Sequence, residues 1–267
     1  MPDAFFEPDG DRFRATELTR GPWDPDAQHA GPPSGLIARE IERLEGPGDD
    51  RAPAARVGRI TIEVLRSVPI APVAVSASVV KPGRRVELCE ANLSDERGEV
   101  MRATAWRLRT NPVELPADGP VIEDSQPRGP EAGEPGDFFP TGEDTGYHTA
   151  MEYRFVRGGF LEAGPATVWM RMRVPLVAGE EPTPLQRVMV AADSGNGVSA
   201  ALDWRRYLFI NVDLSVHLHR EPEGEWVCLD ALTLPEPTGL GLSDTLLRDE
   251  RGRIGRAAQT LLVDKRA

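Results

Sequence analysis

Asp193 is the residue of this sequence best placed to do chemistry. It follows the apolar run Leu185, Val188, Met189, Val190, Ala191 and Ala192, whose spacing predicts a helix from about Pro184, and it sets a carboxylate where the apolar stripe should continue. A carboxylate is costly to bury unless it is hydrogen-bonded or works as an acid or base. The competing reading is a capping acid at the glycine-rich Ser194-Gly195-Asn196-Gly197 that follows. A strand is predicted next, over 209–219, carrying Asn211, and a last strand over 254–263 carries Gln259. Both amides can hold a water beside a carboxylate. His29, just before a helix start, could line a substrate entrance, and Arg84 and Arg85, with Arg205 and Arg206, are candidates for binding an anionic substrate. His217 and His219 share a strand face, but no third ligand accompanies them, so no metal site is expected.

The elements that must position these residues come in two similar sets. His29-Ala30-Gly31-Pro32-Pro33-Ser34-Gly35 leads into Leu36, Ile37, Ile41 and Leu44 at helical spacing, with Arg39, Glu40, Glu42 and Arg43 on the other face and Gly46-Pro47-Gly48 as the stop. Period-two stretches follow at 59–68, 73–80, 84–93 and 100–109, joined by turns such as Asp95-Glu96-Arg97-Gly98. The pattern is lost between Asn111 and Tyr147, where Pro, Gly, Asp and Glu dominate and only Phe138 and Phe139 are expected to be anchored. Strands resume at 151–157 and 166–174, then the second helix and strands at 209–219, 225–233, 244–248 and 254–263.

The two sets are copies. Asp95-Glu96-Arg97-Gly98 is matched by Asp249-Glu250-Arg251-Gly252, 154 residues on, and the same offset pairs Arg66 with Arg220, Ile60 with Leu214 and the first helix with the second. An offset held across helix, strand and turn predicts a chain of two fused α+β units: residues 1–112, a connection at 113–146, and 147–267. At that offset Asp193 faces Arg39, Asn211 faces Val57 and Gln259 faces Ala105. The acid and both amides belong to the second copy alone, so the second copy is expected to carry the site. Asn211 poses a difficulty: strict alternation groups it with Asp213, Ser215 and His217, facing away from the helix unless a bulge intervenes.

These residues resemble the TesB-type (type II) acyl-CoA thioesterases. The His-Ala-Gly-Pro-Pro helix start, the strand ending Val64-Leu65-Arg66 and Gly83-Arg84-Arg85-Val86 are similar to the family's amino-terminal half. Ala192-Asp193-Ser194, the strand from Asn211 to Arg220, and Gly255-Arg256-Ala257-Ala258-Gln259 are similar to its carboxy-terminal half. The resemblance implies a double hotdog, two antiparallel sheets each wrapped around a helix, and a site in which Asp193, Asn211 and Gln259 hold the water that attacks a thioester. Asn211 departs from the family's hydroxyl residue at that position. It further implies an acyl-CoA substrate whose tail lies in an apolar tunnel between helix and sheet, no cofactor, and a dimer of the fused units. Hotdog hydratases and dehydratases are the rival enzymes; they pair a His with an acid, and no His stands at these site positions in the sequence. A non-catalytic acyl-thioester binding protein is the other rival.

The balance of the chain bounds its partners. A net charge of −12 and a pI of about 4.9 work against nucleic acid or an anionic membrane surface, which reward a basic field. Cys89 and Cys228 cannot build a disulfide framework and read as buried thiols. The start of the chain lacks a basic segment followed by an apolar run, and no window nears 18 apolar residues, so a cytoplasmic protein is expected.

Overall fold

The computed structural model describes residues 3–45, 55–116 and 124–266. The Gly46-Pro47-Gly48 stop and part of the connection lie outside them. In chain order the elements are β1 (Phe6–Asp9), β2 (Arg12–Ala15), α1 (Gly31–Arg43), β3 (Ala55–Val64), β4 (Pro72–Lys81), β5 (Val86–Asp95) and β6 (Gly98–Arg109). After the connection come α2 (Tyr147–Ala150), β7 (Met151–Arg157), β8 (Ala166–Met172), α3 (Pro184–Ala192), α4 (Gly195–Val198), β9 (Tyr207–Asn211), β10 (Asp213–Leu218), β11 (Val227–Pro235), β12 (Leu240–Asp249) and β13 (Gly252–Lys265). The strands form one antiparallel sheet in the order β1-β2-β4-β5-β6-β3-β10-β13-β12-β11-β8-β7, with β9 continuing β10 against β13. This is a double hotdog.

The two halves meet at β3 and β10, and the repeat is visible in the register. Ile60 lies opposite Val216, Thr61 opposite Ser215 and Ile62 opposite Leu214. Thr61 and Ser215 are themselves 154 positions apart, so a local two-fold axis passes between their hydroxyls, which are 3.0 Å apart. The turn motif is copied in three dimensions too. Arg66 grips Asp95 with both terminal nitrogens and donates to the Gly98 carbonyl; Arg220 does the same to Asp249 and Gly252. Gly98 and Gly252 both sit at positive φ, +112° and +124°, which a residue with a Cβ adopts only under strain.

Helix α1 starts at Gly31 and carries Pro32-Pro33 in its first turn, where they are tolerated because its N–H groups have no partner within the helix. Leu36, Ile37 and Ile41 are fully buried, and truncating one to Ala typically costs about 2–5 kcal/mol. Arg39, expected on the outer face, is instead buried and paired with Glu180 of the other half. The two helices touch where side chains vanish: a Cβ on Gly31 would lie 2.3 Å from the Val190 carbonyl oxygen, and one on Gly35 2.8 Å from a Val190 methyl. Acid-rich residues 6–15 fold into the β1–β2 hairpin through Gly10 at φ +64°, a strand pair the alternation of Phe5, Phe6 and Phe13 with acids did not announce. Its first strand reaches across to Pro175–Ala178 and ties the halves together.

Candidate active site

Asp193 ends α3 as its C-cap, so the capping and chemical readings of this residue coincide. Where α1 runs unbroken past the matching Arg39, the second helix stops, turns through Ser194 and resumes as α4. Small residues are needed at the turn: a Cβ on Gly195 would meet the Thr245 hydroxyl at 2.6 Å and the Ser243 hydroxyl at 3.2 Å. α4 thereby rests on a buried polar floor of Thr233, Ser243, Thr245 and Gln259.

Three expected residues converge on one carboxylate. Asp193 is 8% exposed and Gln259 2%. Asp193 Oδ1 accepts from Asn211 Nδ2 at 2.8 Å and from Gln259 Nε2 at 3.2 Å, and Gln259 also donates to the Asp193 carbonyl. The Gln259 carbonyl oxygen in turn accepts from the Asn196 backbone N–H, which fixes which way the amide faces. Asn211 points inward because the strand breaks beside it. Asn211 pairs with Leu261 but Ser215 with Ala258, so one extra residue is inserted around Val212, reversing the alternation. The first half has its irregularity between Val57 and Arg59, at the matching Gly58.

His29, expected only at an entrance, belongs to the centre. Its Nδ1 lies 3.1 Å from Asp193 Oδ2 and 3.1 Å from the Gly31 backbone nitrogen. One nitrogen cannot serve both. Protonated, it donates to Asp193 and leaves the Gly31 N–H free at the start of α1; bare, it accepts from Gly31. Burial pushes the His29 pKa down, and the Asp193 charge beside it offsets only part of that, so the imidazole is neutral near pH 7. Tyr147 stacks on the imidazole with ring centroids 3.8 Å apart, and its hydroxyl lies within hydrogen-bonding distance of the Val190 carbonyl and the Ser194 hydroxyl. No sequence pattern singled out Tyr147, which sits at the end of the unpatterned connection.

Beside this cluster opens a cavity of about 550 Å³, bounded by Pro22–His29, the Val64–Val68 end of β3, β9 and the rings of Phe138, Phe139 and Phe160. At its mouth Trp23 is half exposed and lies near Trp204. The Arg205 and Arg266 guanidiniums stack on Trp204 and Trp23 at 5.2 and 5.5 Å. Arg84 and Arg85 are elsewhere. They are exposed on the β4–β5 turn, beside the Ala55 end of β3, whereas the cavity opens at its Val64 end, roughly 30 Å along the strand. Exposed arginines look alike in sequence; the sheet decides which of them flank the site. Among the described residues no cluster of His, Cys, Asp and Glu is suited to a metal, and His217 and His219 are exposed.

The family profile of the acyl-CoA thioesterase N-terminal domain matches residues 19–108, and that of the C-terminal domain matches 123–263. The chain belongs to the TesB-type acyl-CoA thioesterases. Members of this family are hydrolases of acyl-CoA thioesters, and the chain is an enzyme of that class. Solved structures share its fold. A proposed thioesterase II from Thermobifida fusca YX aligns with a TM-score of 0.72 at 16% identity over 96% of this chain and 93% of its own. A conserved protein of unknown function with a hot dog fold from Alicyclobacillus acidocaldarius gives 0.71 at 14% identity, covering 99% and 97%. The acyl-CoA thioesterase II TesB2 from Mycobacterium marinum gives 0.63 at 13% identity, covering 97% and 94%. No curated protein matches the chain in sequence.

Proposed function

We propose that this thioesterase hydrolyses its substrate through a water activated by Asp193 and oriented by Asn211 and Gln259. The observation that carries the reading is the convergence of both amides and His29 on one buried carboxylate. Asp193 takes a proton as the water oxygen bonds to the thioester carbonyl carbon. The oxyanion that forms is stabilised by backbone N–H donors, for which Gly31 at the head of α1 is placed when His29 Nδ1 donates to Asp193. Collapse breaks the C–S bond; the sulfur leaves and takes the proton, giving free acid and CoA. No side-chain nucleophile is needed. The acyl group lies in the cavity beside Asp193, and Arg205 and Arg266, over Trp204 and Trp23, meet the CoA phosphates in place of Arg84 and Arg85.

Free-thiol release from acyl-CoAs by the native chain and by Asp193→Ala tests this. Loss of turnover with retained fold and substrate binding supports it; undiminished turnover in the variant overturns it. A second reading, hydration of an enoyl thioester, gains one observation, since the His–acid pair that its chemistry uses is formed by His29 and Asp193. Loss of the enoyl absorbance of crotonyl-CoA without thiol release is the outcome that favours it.

We also propose that the fused unit dimerises. Leu234 and Leu242 are paired across β11 and β12, Leu240 and Leu262 across β12 and β13, and Leu262 and Ile210 across β13 and β9, all exposed on one outer face. A monomeric mass by light scattering at micromolar concentration overturns this. The two cysteines, buried and unpaired, support a reducing compartment such as the cytoplasm.

A further inference from the structure

The cavity beside Asp193 ends in rings. Phe160 is the hub of its floor: it meets Phe138 at 4.7 Å, Tyr153 at 4.9 Å, Phe155 at 5.1 Å and Phe139 at 5.4 Å, with interplanar angles between 62° and 83°. Phe139, Tyr153 and Phe160 line the cavity and are almost fully buried, so they pack on one another with little free surface. Between α1 and α3 there is no room for an acyl chain at Gly31 and Gly35, which pack directly on Val190. On this side the cavity has a wall of rings, where the resemblance implies an apolar tunnel between helix and sheet. A long flexible chain has no straight run there and loses rotamer freedom on folding back. A flat ring meets walls already set for edge-to-face contact and loses little freedom on entering.

We infer that the acyl group taken by this site is compact and ring-bearing, an arylacyl thioester instead of a long straight chain, and that Phe160 sets that preference. The inference rests on the reading that the acyl group enters this cavity, and it stands apart from the roles given to Asp193, Asn211 and Gln259. The edge-to-face surplus corresponds to a preference of about tenfold over a straight chain of similar size.

The test is kcat/KM for phenylacetyl-, octanoyl- and palmitoyl-CoA, paired with binding of each to Asp193→Asn read by quenching of Trp23 and Trp204. Phenylacetyl-CoA is expected to lead octanoyl-CoA by about tenfold and palmitoyl-CoA by more. Phe160→Ala, which opens the floor, is expected to move the optimum toward octanoyl-CoA; Phe139→Leu, a milder change, shifts it the same way if Phe160→Ala does not fold. Palmitoyl-CoA as the best substrate, or a ratio unmoved by either variant, overturns the inference while leaving hydrolysis intact. Preferential binding of phenylacetyl-CoA with no thiol released from the native chain sustains the inference and overturns the hydrolytic mechanism. Absence of both binding and turnover for all three overturns both.

Discussion

The chain contains the same cavity twice, and the Asp193 cluster proposed to be catalytic borders only one of them. A second cavity of about 620 Å³ is lined by Leu218–Pro222, Ala55–Gly58 and Glu42. These are the counterparts, at the 154-residue offset, of Val64–Val68, Phe209–Val212 and Asn196 around the first. Shape is therefore a property of the repeated fold. What differs is the floor. Gln259, Ser243 and Thr245 in the second half face Ala105, Cys89 and Ala91 in the first, all buried, so at these three positions polar side chains stand against apolar ones, while the first half buries a Glu87–Arg107 ion pair on the same strands. Asp193 is matched by Arg39, which turns away to Glu180, and His29 by Thr183, whose hydroxyl donates to Glu42 at 2.7 Å. A few buried polar side chains under a broken helix thus separate the proposed site from its replica.

The comparison breaks most severely at the carboxylate. Asp193→Asn keeps the shape and the amide contacts but removes the base, and kcat is expected to fall about 10²–10⁴-fold with the Tm nearly unchanged. Next come the two swaps that write first-half residues into the second. Gln259→Ala and Asn211→Val each delete one hydrogen bond to a charged group, so each is expected to lower kcat about 10–100-fold. Because both amides serve one oxygen, the double variant should fall short of the product of the single losses. Full multiplicativity in that cycle says that the amides act independently.

Much of this was legible from spacing. The helices, the meanders and the offset follow from apolar periodicity and the repeated Asp-Glu-Arg-Gly turn, and Asp193 drew notice because it interrupts an apolar stripe. Other features left no local trace. The inward turn of Asn211 depends on an inserted residue around Val212, with no glycine there to mark it as Gly58 does in the first half. Tyr147 comes from the end of a stretch without periodicity, in which only Phe138 and Phe139 are expected to be anchored, and long-range packing places it. His29 reaches Asp193 only because the halves face each other, and that contact removes the argument that no histidine stands near the acid.

His29 gives a smaller, pH-dependent contrast with Thr183, which does not titrate in this range. A histidine whose pKa is lowered on folding is neutral when folded, so its protonation opposes the folded state. Its contribution to stability is complete above the unfolded value near 6.5 and is lost as pH falls toward the lowered folded value. The same proton places a positive charge against Asp193 and weakens it as a base, so kcat/KM should drop on the acid side, below the ordinary imidazole range. His29→Thr, the counterpart swap, should flatten that limb. An acid limb that survives the substitution assigns it to another group.

The least effect is expected where the halves are alike. Arg66–Asp95 and Arg220–Asp249 are the same clamp in two copies, each closing a turn, with Arg66 and Arg220 on the borders of the two equivalent cavities. Arg66's hydrogen bond, helped by the Arg97 backbone N–H, holds the Asp95 carboxyl down at about 2. Burial works against Asp249, but Arg220 and the backbone N–H groups of Glu223 and Arg251 outweigh it and hold its pKa low as well. A carboxylate held low stabilises the fold above its unfolded value near 4 and loses that contribution as pH falls toward the folded one. Asp95→Asn and Asp249→Asn should therefore lower the Tm at pH 7 by similar small amounts, converge on the native chain near pH 2, and leave kcat unchanged. A marked loss of kcat in Asp249→Asn alone means that its turn helps to set β13 and Gln259, and the copies then differ in their scaffolds as well as in their floors.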